Sequence, residues 1–187
     1  MKIAVTGSNG FIGKNLIYNL INSKKYEILK INRKTKRKLA TKYLLEADVI
    51  CHFAGVNRPK KNKTFKKDNI NFTKYISKIL EKNNKPKKII FSSSIHANLK
   101  NNYGISKLKC EKILISSAKK YNFSLINLRI PNVFGKWCKP NYNSVIATFC
   151  NNIARRKKIK ILDPNKIIRL IYIDDLVSII TKFINKK

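Results

Sequence analysis

The chain has 187 residues, enough for one domain with a real core. Hydrophobic residues make up 43% of it, which excludes a fully disordered chain, and no apolar run approaches the ~20 residues of a membrane span. The net charge of +33, from 42 basic and 9 acidic residues, invites a nucleic-acid reading. However, Lys, Ile and Asn, all with A/T-rich codons, supply 87 of the 187 residues and the lysines are scattered, so the bias reads as genomic and no nucleic-acid partner is expected.

The N-terminus enters a strand-like run, Ile3-Ala4-Val5-Thr6, without the shape of a signal peptide, so a cytoplasmic protein with no membrane partner is expected. Residues 2–6 predict a first strand, followed by a Gly-rich turn and a helix to about Ser23. Residues 26–31 predict a second strand and residues 37–46 a short helix. Residues 48–54 are almost wholly apolar, as in a parallel strand covered on both faces. Helical spacing runs over 64–83, a fourth strand over 87–92, a helix over 103–120 and a fifth strand over 122–130. A helix over 142–156, a late strand over 167–173 and an amphipathic helix over 174–187, with Asp174 and Asp175 in its first turn, close the chain. Strands alternating with helices predict an α/β doubly wound parallel sheet, a Rossmann fold, as a single domain over 1–187. Cys51, Cys110, Cys138 and Cys150 form no C-x-x-C pair, so free thiols and no metal site are expected, with Cys138 and Cys150 as small packing residues.

The first turn reads Thr6-Gly7-Ser8-Asn9-Gly10-Phe11-Ile12-Gly13, after a strand and opening a helix. Glycines let a backbone approach a pyrophosphate, and the helix N-terminus offers free N–H groups and the positive end of its dipole. After the second strand, where NAD binders place an acid for the ribose 2′-hydroxyl, stand Asn32 and Arg33. Without a carboxylate there, and with Arg33 able to pair with a 2′-phosphate, NADPH is expected, with NAD as the alternative.

Tyr103-Gly104-Ile105-Ser106-Lys107 is Y-x-x-x-K, whose two ends share one helix face. An ammonium beside a phenol lowers its pKa toward working pH, so the Tyr can pass a proton to a carbonyl oxygen. Nine residues before Tyr103, Phe91-Ser92-Ser93-Ser94 ends the fourth strand, at the carboxyl edge where open parallel sheets bind ligands.

These features together resemble the extended short-chain dehydrogenase/reductase family, the NAD-dependent epimerases and dehydratases. Its T-G-x-x-G-F-x-G turn matches residues 6–13. Its H-x-A-G strand end matches His52-Phe53-Ala54-Gly55, its N-x-x-x-T matches Asn69 with Thr73, and its late Y-V-D-D matches residues 172–175. The resemblance implies that Gly7, Asn9, Gly10, Phe11, Ile12 and Gly13 seat the cofactor, joined by Phe53, Ala54 and Gly55. Ser94, or next Ser93, would hold the reacting oxygen, while Tyr103 and Lys107 would also touch the nicotinamide ribose. Pro131 and Val133, in the loop after the fifth strand, would touch nicotinamide, and Asn132 the substrate. His52 reads instead as an aromatic-sized filler.

The family's sugar dehydratases carry an Asp-Glu pair after the serine. Here Ile95-His96 follow it, so reduction or epimerisation is implied rather than dehydration. Pro131–Cys150, Gly55–Pro59 and Ser92–Ala97 resemble the family's capsular-polysaccharide reductases most closely. These reduce, with NADPH, the C4 keto group of a UDP-linked 4-keto-6-deoxy-N-acetylhexosamine on the way to UDP-N-acetyl-L-fucosamine. Arg58, Lys136 and Lys139 could then neutralise a diphosphate, and Trp137 and Tyr142 offer flat faces to a base or sugar. An epimerase retaining NAD and a non-catalytic Rossmann-fold binding protein are the alternatives. Family members continue past the Y-V-D-D helix and complete a substrate lobe, begun here at about residue 131, and the capsular reductases add a metal-binding cupin domain. A homodimer, or a partner chain supplying the rest of the lobe, is therefore expected.

Overall fold

The apolar runs become five parallel strands: β1 (Lys2–Thr6), β2 (Glu27–Ile31), β3 (Val49–His52), β4 (Lys88–Ser94) and β5 (Ser124–Ile130). They lie in the order β2-β1-β3-β4-β5 in a computed structural model that describes residues 1–57, 64–82, 87–121, 123–161 and 163–186. Because side chains alternate along a strand, each central strand feeds both faces. Ala4, Ile50, Ile89 and Phe91 pack under α2 (Arg37–Glu46), α3 (Phe72–Glu81) and α4 (Asn102–Tyr121). Ile3, Val5, Val49, Cys51 and Ile90 pack under α1 (Phe11–Asn22) and the last helix, α6 (Ile173–Asn185). The result is the doubly wound three-layer fold that the alternation predicts.

The chain reverses direction across the sheet at β1, so the carboxyl ends of β1, β3 and β4 open one crevice. Several connections depart from expectation. The helix expected from residue 64 starts as a π-helix, Phe65–Asn71, whose wider turn buries both Phe65 and Asn69. β4 runs two residues past its expected end, so all three serines belong to the strand, and a short 3-10 turn (Ile95–Asn98) follows.

Residues 132–134, expected as loop, form β6 (Asn132–Phe134), which pairs in parallel with β7 (Leu170–Tyr172) in a separate two-stranded sheet. Beyond them α5 (Val145–Ala154) is capped by Ser144, whose Oγ accepts the N–H of Ala147 at 3.2 Å, yet none of its residues is buried. α6 does not join this lobe. Its face of Ile173, Leu176, Val177, Ile180 and Ile184 returns to the main sheet beside α1.

Candidate active site

Gly7 adopts φ +69°, and a Cβ there would lie 2.8 Å from the Ala54 nitrogen. A Cβ on Gly13 would lie 2.4 Å from the Gly7 carbonyl oxygen. Only glycine fits these two positions, so the turn folds flat against the end of β3 and leaves open space above. α1 starts at Gly10 with no side-chain cap and no acidic residue in its first turn. Its leading N–H groups and dipole are therefore available to an external anion. A pyrophosphate fits that cradle.

The cradle opens into a cleft of about 510 Å³, inside the usual range of a small-molecule site. Gly7, Asn9, Gly10, Phe11, Ile12 and Gly13 form one wall, with Phe53 and Gly55 beside them. Ser94, Tyr103 and Lys107 line the far end, and Pro131, Asn132, Val133, Trp137, Lys139 and Tyr142 the side toward the small sheet.

Lys107 is buried, and its Nζ donates to the Ser92 carbonyl at 2.6 Å. That bond aims the ammonium at the β4 end, 6.0 Å from the Tyr103 ring centroid and 5.0 Å from that of Phe91. Burial lowers its pKa to about 8, with Cys110 and Glu111 pulling the other way, so it is charged below that pH and neutral above it. Tyr103 behaves differently from the expectation. Burial raises its pKa, Tyr142 adds to the rise, and a hydrogen bond with Ser94 only partly offsets it. The phenol is thus a protonated donor in this arrangement.

Ser94 Oγ accepts the His96 N–H at 3.2 Å and meets Tyr103, whereas Ser93 Oγ donates to the Glu111 carboxylate on α4. This separates the two serine candidates: the hydroxyl beside the phenol is that of Ser94.

Sequence reasoning left Asn69 out of the site, and the structure makes it the hinge pin of the cleft floor. Its Oδ1 accepts Val56 N–H at 2.8 Å, and its Nδ2 donates to Val56 O at 3.2 Å and Ser106 Oγ at 3.0 Å. With 23 asparagines in the chain, composition carries no signal for this one; its distance from the N-x-x-x-T threonine is the only clue. Lys14, Val56, Asn57, His96, Cys138 and Asn143 also line the cleft unpredicted.

His52 is the expected filler. It is fully buried between Thr6 Oγ1 at 2.8 Å from Nδ1 and Thr73 Oγ1 at 3.0 Å from Nε2. Thr73 Oγ1 gives its proton to Asn69 O, so it accepts Nε2–H, and Nδ1 accepts from the Thr6 hydroxyl. Burial first, then the Lys107 charge, lowers the pKa of His52 to about 3, and the ring is neutral.

The profile of the NAD dependent epimerase/dehydratase family matches residues 3–187. The chain belongs to that family. It is 38% identical over 187 residues to the UDP-2-acetamido-2,6-beta-L-arabino-hexul-4-ose reductase of Pseudomonas aeruginosa, which covers 100% of this chain and 50% of the relative. The capsular polysaccharide assembling protein CapF of Staphylococcus aureus is 43% identical with a TM-score of 0.87, over 98% of this chain and 49% of that one. UDP-glucuronic acid 4-epimerase of Bacillus cereus, solved with NAD, is 20% identical with a TM-score of 0.87, over 100% of this chain and 75% of that one, and shares the fold. The chain spans about half the length of its reductase and CapF relatives.

Several expected contacts of this epimerase/dehydratase chain fall elsewhere. Lys136 does not line the cleft. Its Nζ sits 4.5 Å from the Tyr18 ring centroid and 4.8 Å from that of Trp137, because Asn15 holds the Lys136 carbonyl at 3.1 Å and turns the residue toward α1. Asn32 is occupied in its own turn, where Oδ1 accepts Lys34 N–H at 2.9 Å. Arg33 does not line the cleft; its exposed side chain pairs with Asp68 at 3.0 Å. Ala54 gives its N–H to Thr6 and its backbone to the Gly7 approach, so it shapes the cleft without lining it. Arg58 lies outside the described residues. Trp137 is 51% exposed at φ +67° and makes an edge contact with Tyr18 at 5.7 Å, so it is not core packing. Cys51 and Cys110 are buried, Cys138 is half-buried, and Cys150 is exposed. Among the described residues no cluster of His, Cys, Asp or Glu could hold a metal, and no helix is long and apolar enough to cross a membrane.

Proposed function

We propose that this chain is the catalytic half of a cytoplasmic nucleotide-sugar reductase. It would use NADPH to reduce the C4 keto group of a UDP-linked 4-keto-6-deoxy-N-acetylhexosamine in the capsular or surface polysaccharide route to UDP-N-acetyl-L-fucosamine. The observation that carries the reading is the convergence of Ser94, Tyr103 and Lys107 on one cleft with the glycine cradle, in a chain 38% identical to a reductase of that class. The bound dinucleotide would supply the hydride that C4 receives. Tyr103 would give its phenolic proton to O4, completing the alcohol. Ser94 would hydrogen-bond O4 and keep it near the phenol. Lys107, charged below a pH of about 8, would stabilise the phenolate left behind. Gly7, Gly10 and Gly13 would seat the pyrophosphate, and Arg33, released from Asp68, would meet a 2′-phosphate. Lys139, Trp137 and Tyr142 would face the UDP-sugar, with Asn132 beside them.

The α5 side would be completed by polypeptide equivalent to the relatives' remaining half. α5 has no buried residue, and Ile167 beside β7 is 91% exposed. That polypeptide would cover the exposed apolar residues here.

The test supplies the UDP-4-keto sugar and follows loss of NADPH absorbance, with the complementary half of the Pseudomonas relative added in trans. Consumption that depends on the ketosugar and disappears in Tyr103→Phe, with NADPH binding retained, is expected. No consumption by a chain that binds NADPH contradicts the reading.

A further inference from the structure

Behind the cleft lies an ionic knot that none of the preceding roles uses, buried at its carboxylate and partly exposed at its guanidinium. Glu111, one turn beyond Lys107 on α4, is buried. Its carboxylate accepts from Ser93 Oγ on β4, and from Arg129 on β5 through Nε at 3.1 Å and Nη2 at 2.8 Å. The same guanidinium gives Nη1 to Asn98 Oδ1 at 2.9 Å, on the turn between Ser94 and Tyr103. Burial pushes the Glu111 carboxyl up, but bonds from Arg129, Ser93 and Asn127 outweigh it and keep the group ionised. One side chain therefore ties together each element that carries a reacting group: Ser93 adjoins Ser94, α4 carries Tyr103 and Lys107, and Arg129 sits two residues before Pro131.

We propose that Glu111, with Arg129, is the positioning residue that fixes the distance between Ser94 and the Tyr103–Lys107 pair. The inference rests on the reductase reading of that pair. A bidentate Arg–carboxylate bond has fixed geometry, unlike a Lys contact, so it sets a register between helix and strands rather than merely neutralising charge. A catalytic group displaced by a fraction of an ångström loses rate without losing the ligand. Glu111 also faces Lys107 electrostatically. The other groups facing that ammonium are Tyr103 and Cys110 from α4, His52 from β3 and the Phe91 ring from β4. Glu111 is the one ionised acid among them.

The experiment compares Glu111→Gln, Glu111→Asp, Arg129→Gln, the Glu111→Gln/Arg129→Gln double variant and Tyr103→Phe in the complemented assay, with hydrogen–deuterium exchange on each chain. Glu111→Gln is expected to keep its NADPH Kd and ketosugar KM within about threefold while kcat falls at least about tenfold. Its alkaline limb should move to lower pH, since Lys107 loses the negative neighbour that keeps its pKa up. The double variant should lose no more kcat than the worse single one, as expected of a pair acting as a unit. Exchange should rise over residues 92–98 and stay unchanged over β1. Glu111→Asp retains the charge but shortens the reach. It should lose kcat with the alkaline limb in place, and it keeps the test open if the Gln variant does not fold.

A wild-type kcat in Glu111→Asp or Glu111→Gln, or kcat lost only in step with NADPH binding, overturns the inference. Tyr103→Phe separates the two failures. If it still reduces the ketosugar, the reductase reading falls; if it is inactive while the Glu111 variants are unaffected, only the positioning role falls.

Discussion

Leu114 of α4 and Ile153 of α5 are both large apolar residues on helices of the same chain, yet Leu114 is fully buried and Ile153 is 63% exposed. The contrast divides the molecule. On the cofactor side, β1, β3 and β4 are covered by helices on both faces, and the glycine cradle fits against β3 closely enough to exclude a single Cβ. On the substrate side, among the described residues β6 and β7 pair only with each other, and the residues of α5 are half-buried or exposed. The site is therefore assembled from unequal parts. The groups proposed to hold cofactor and to move the proton stand on a closed core, whereas Trp137, Lys139 and Tyr142, proposed to meet the nucleotide sugar, stand on a more open surface.

The sharpest way to break this division is stability. Leu114→Ala should cost about 3 kcal/mol in denaturant unfolding, because a wholly enclosed side chain leaves a cavity. Next comes Gly13→Ala. Its Cβ would meet the Gly7 carbonyl oxygen, so NADPH should bind at least about tenfold more weakly, near 1.4 kcal/mol, in a titration. Unchanged affinity would show that the turn is not a phosphate cradle.

A smaller, pH-dependent effect tests the core under the cofactor. His52 has its folded pKa lowered from 6.5 to about 3, so across that window the unfolded chain takes up the proton first. Stability should be complete above pH 6.5 and decline as pH falls, by about 1 kcal/mol between pH 6 and 5, in unfolding curves. His52→Gln should flatten that slope.

Arg33→Asp should weaken NADPH about fivefold while leaving NADH within about twofold, since only the former carries a 2′-phosphate for the guanidinium. Equal loss of both would remove Arg33 from the specificity site. The smallest effect belongs to α5. Ile153→Ser should change stability by no more than about 0.5 kcal/mol. A loss near that of Leu114→Ala would mean that α5 is already covered.

How far the sequence exposes this division follows from locality. β1, β3 and β4 are contiguous apolar runs, and the T-G-x-x-G-F-x-G turn and Y-x-x-x-K are local spacings, so the sheet and the triad could be read from the chain. β6 and β7 are three residues each, and Asn132 meets Leu170 only through the fold, so no local pattern announces them. Lys136 shows the effect of composition. Among 35 lysines a cation beside a candidate site carries little information, and a backbone bond from Asn15 turns this one toward Tyr18. Glu111 is illegible in the sequence for the opposite reason. It reads as one more polar helix residue until Ser93 and Arg129 converge on it from two strands.

The most direct test is a fluorescence titration of the purified chain with NADPH and with NADH at physiological salt, read through Trp137, the single tryptophan, which lines the cleft. A cofactor half that is complete in itself predicts saturable binding, tighter for NADPH, without any added polypeptide. No saturation with either dinucleotide would contradict it.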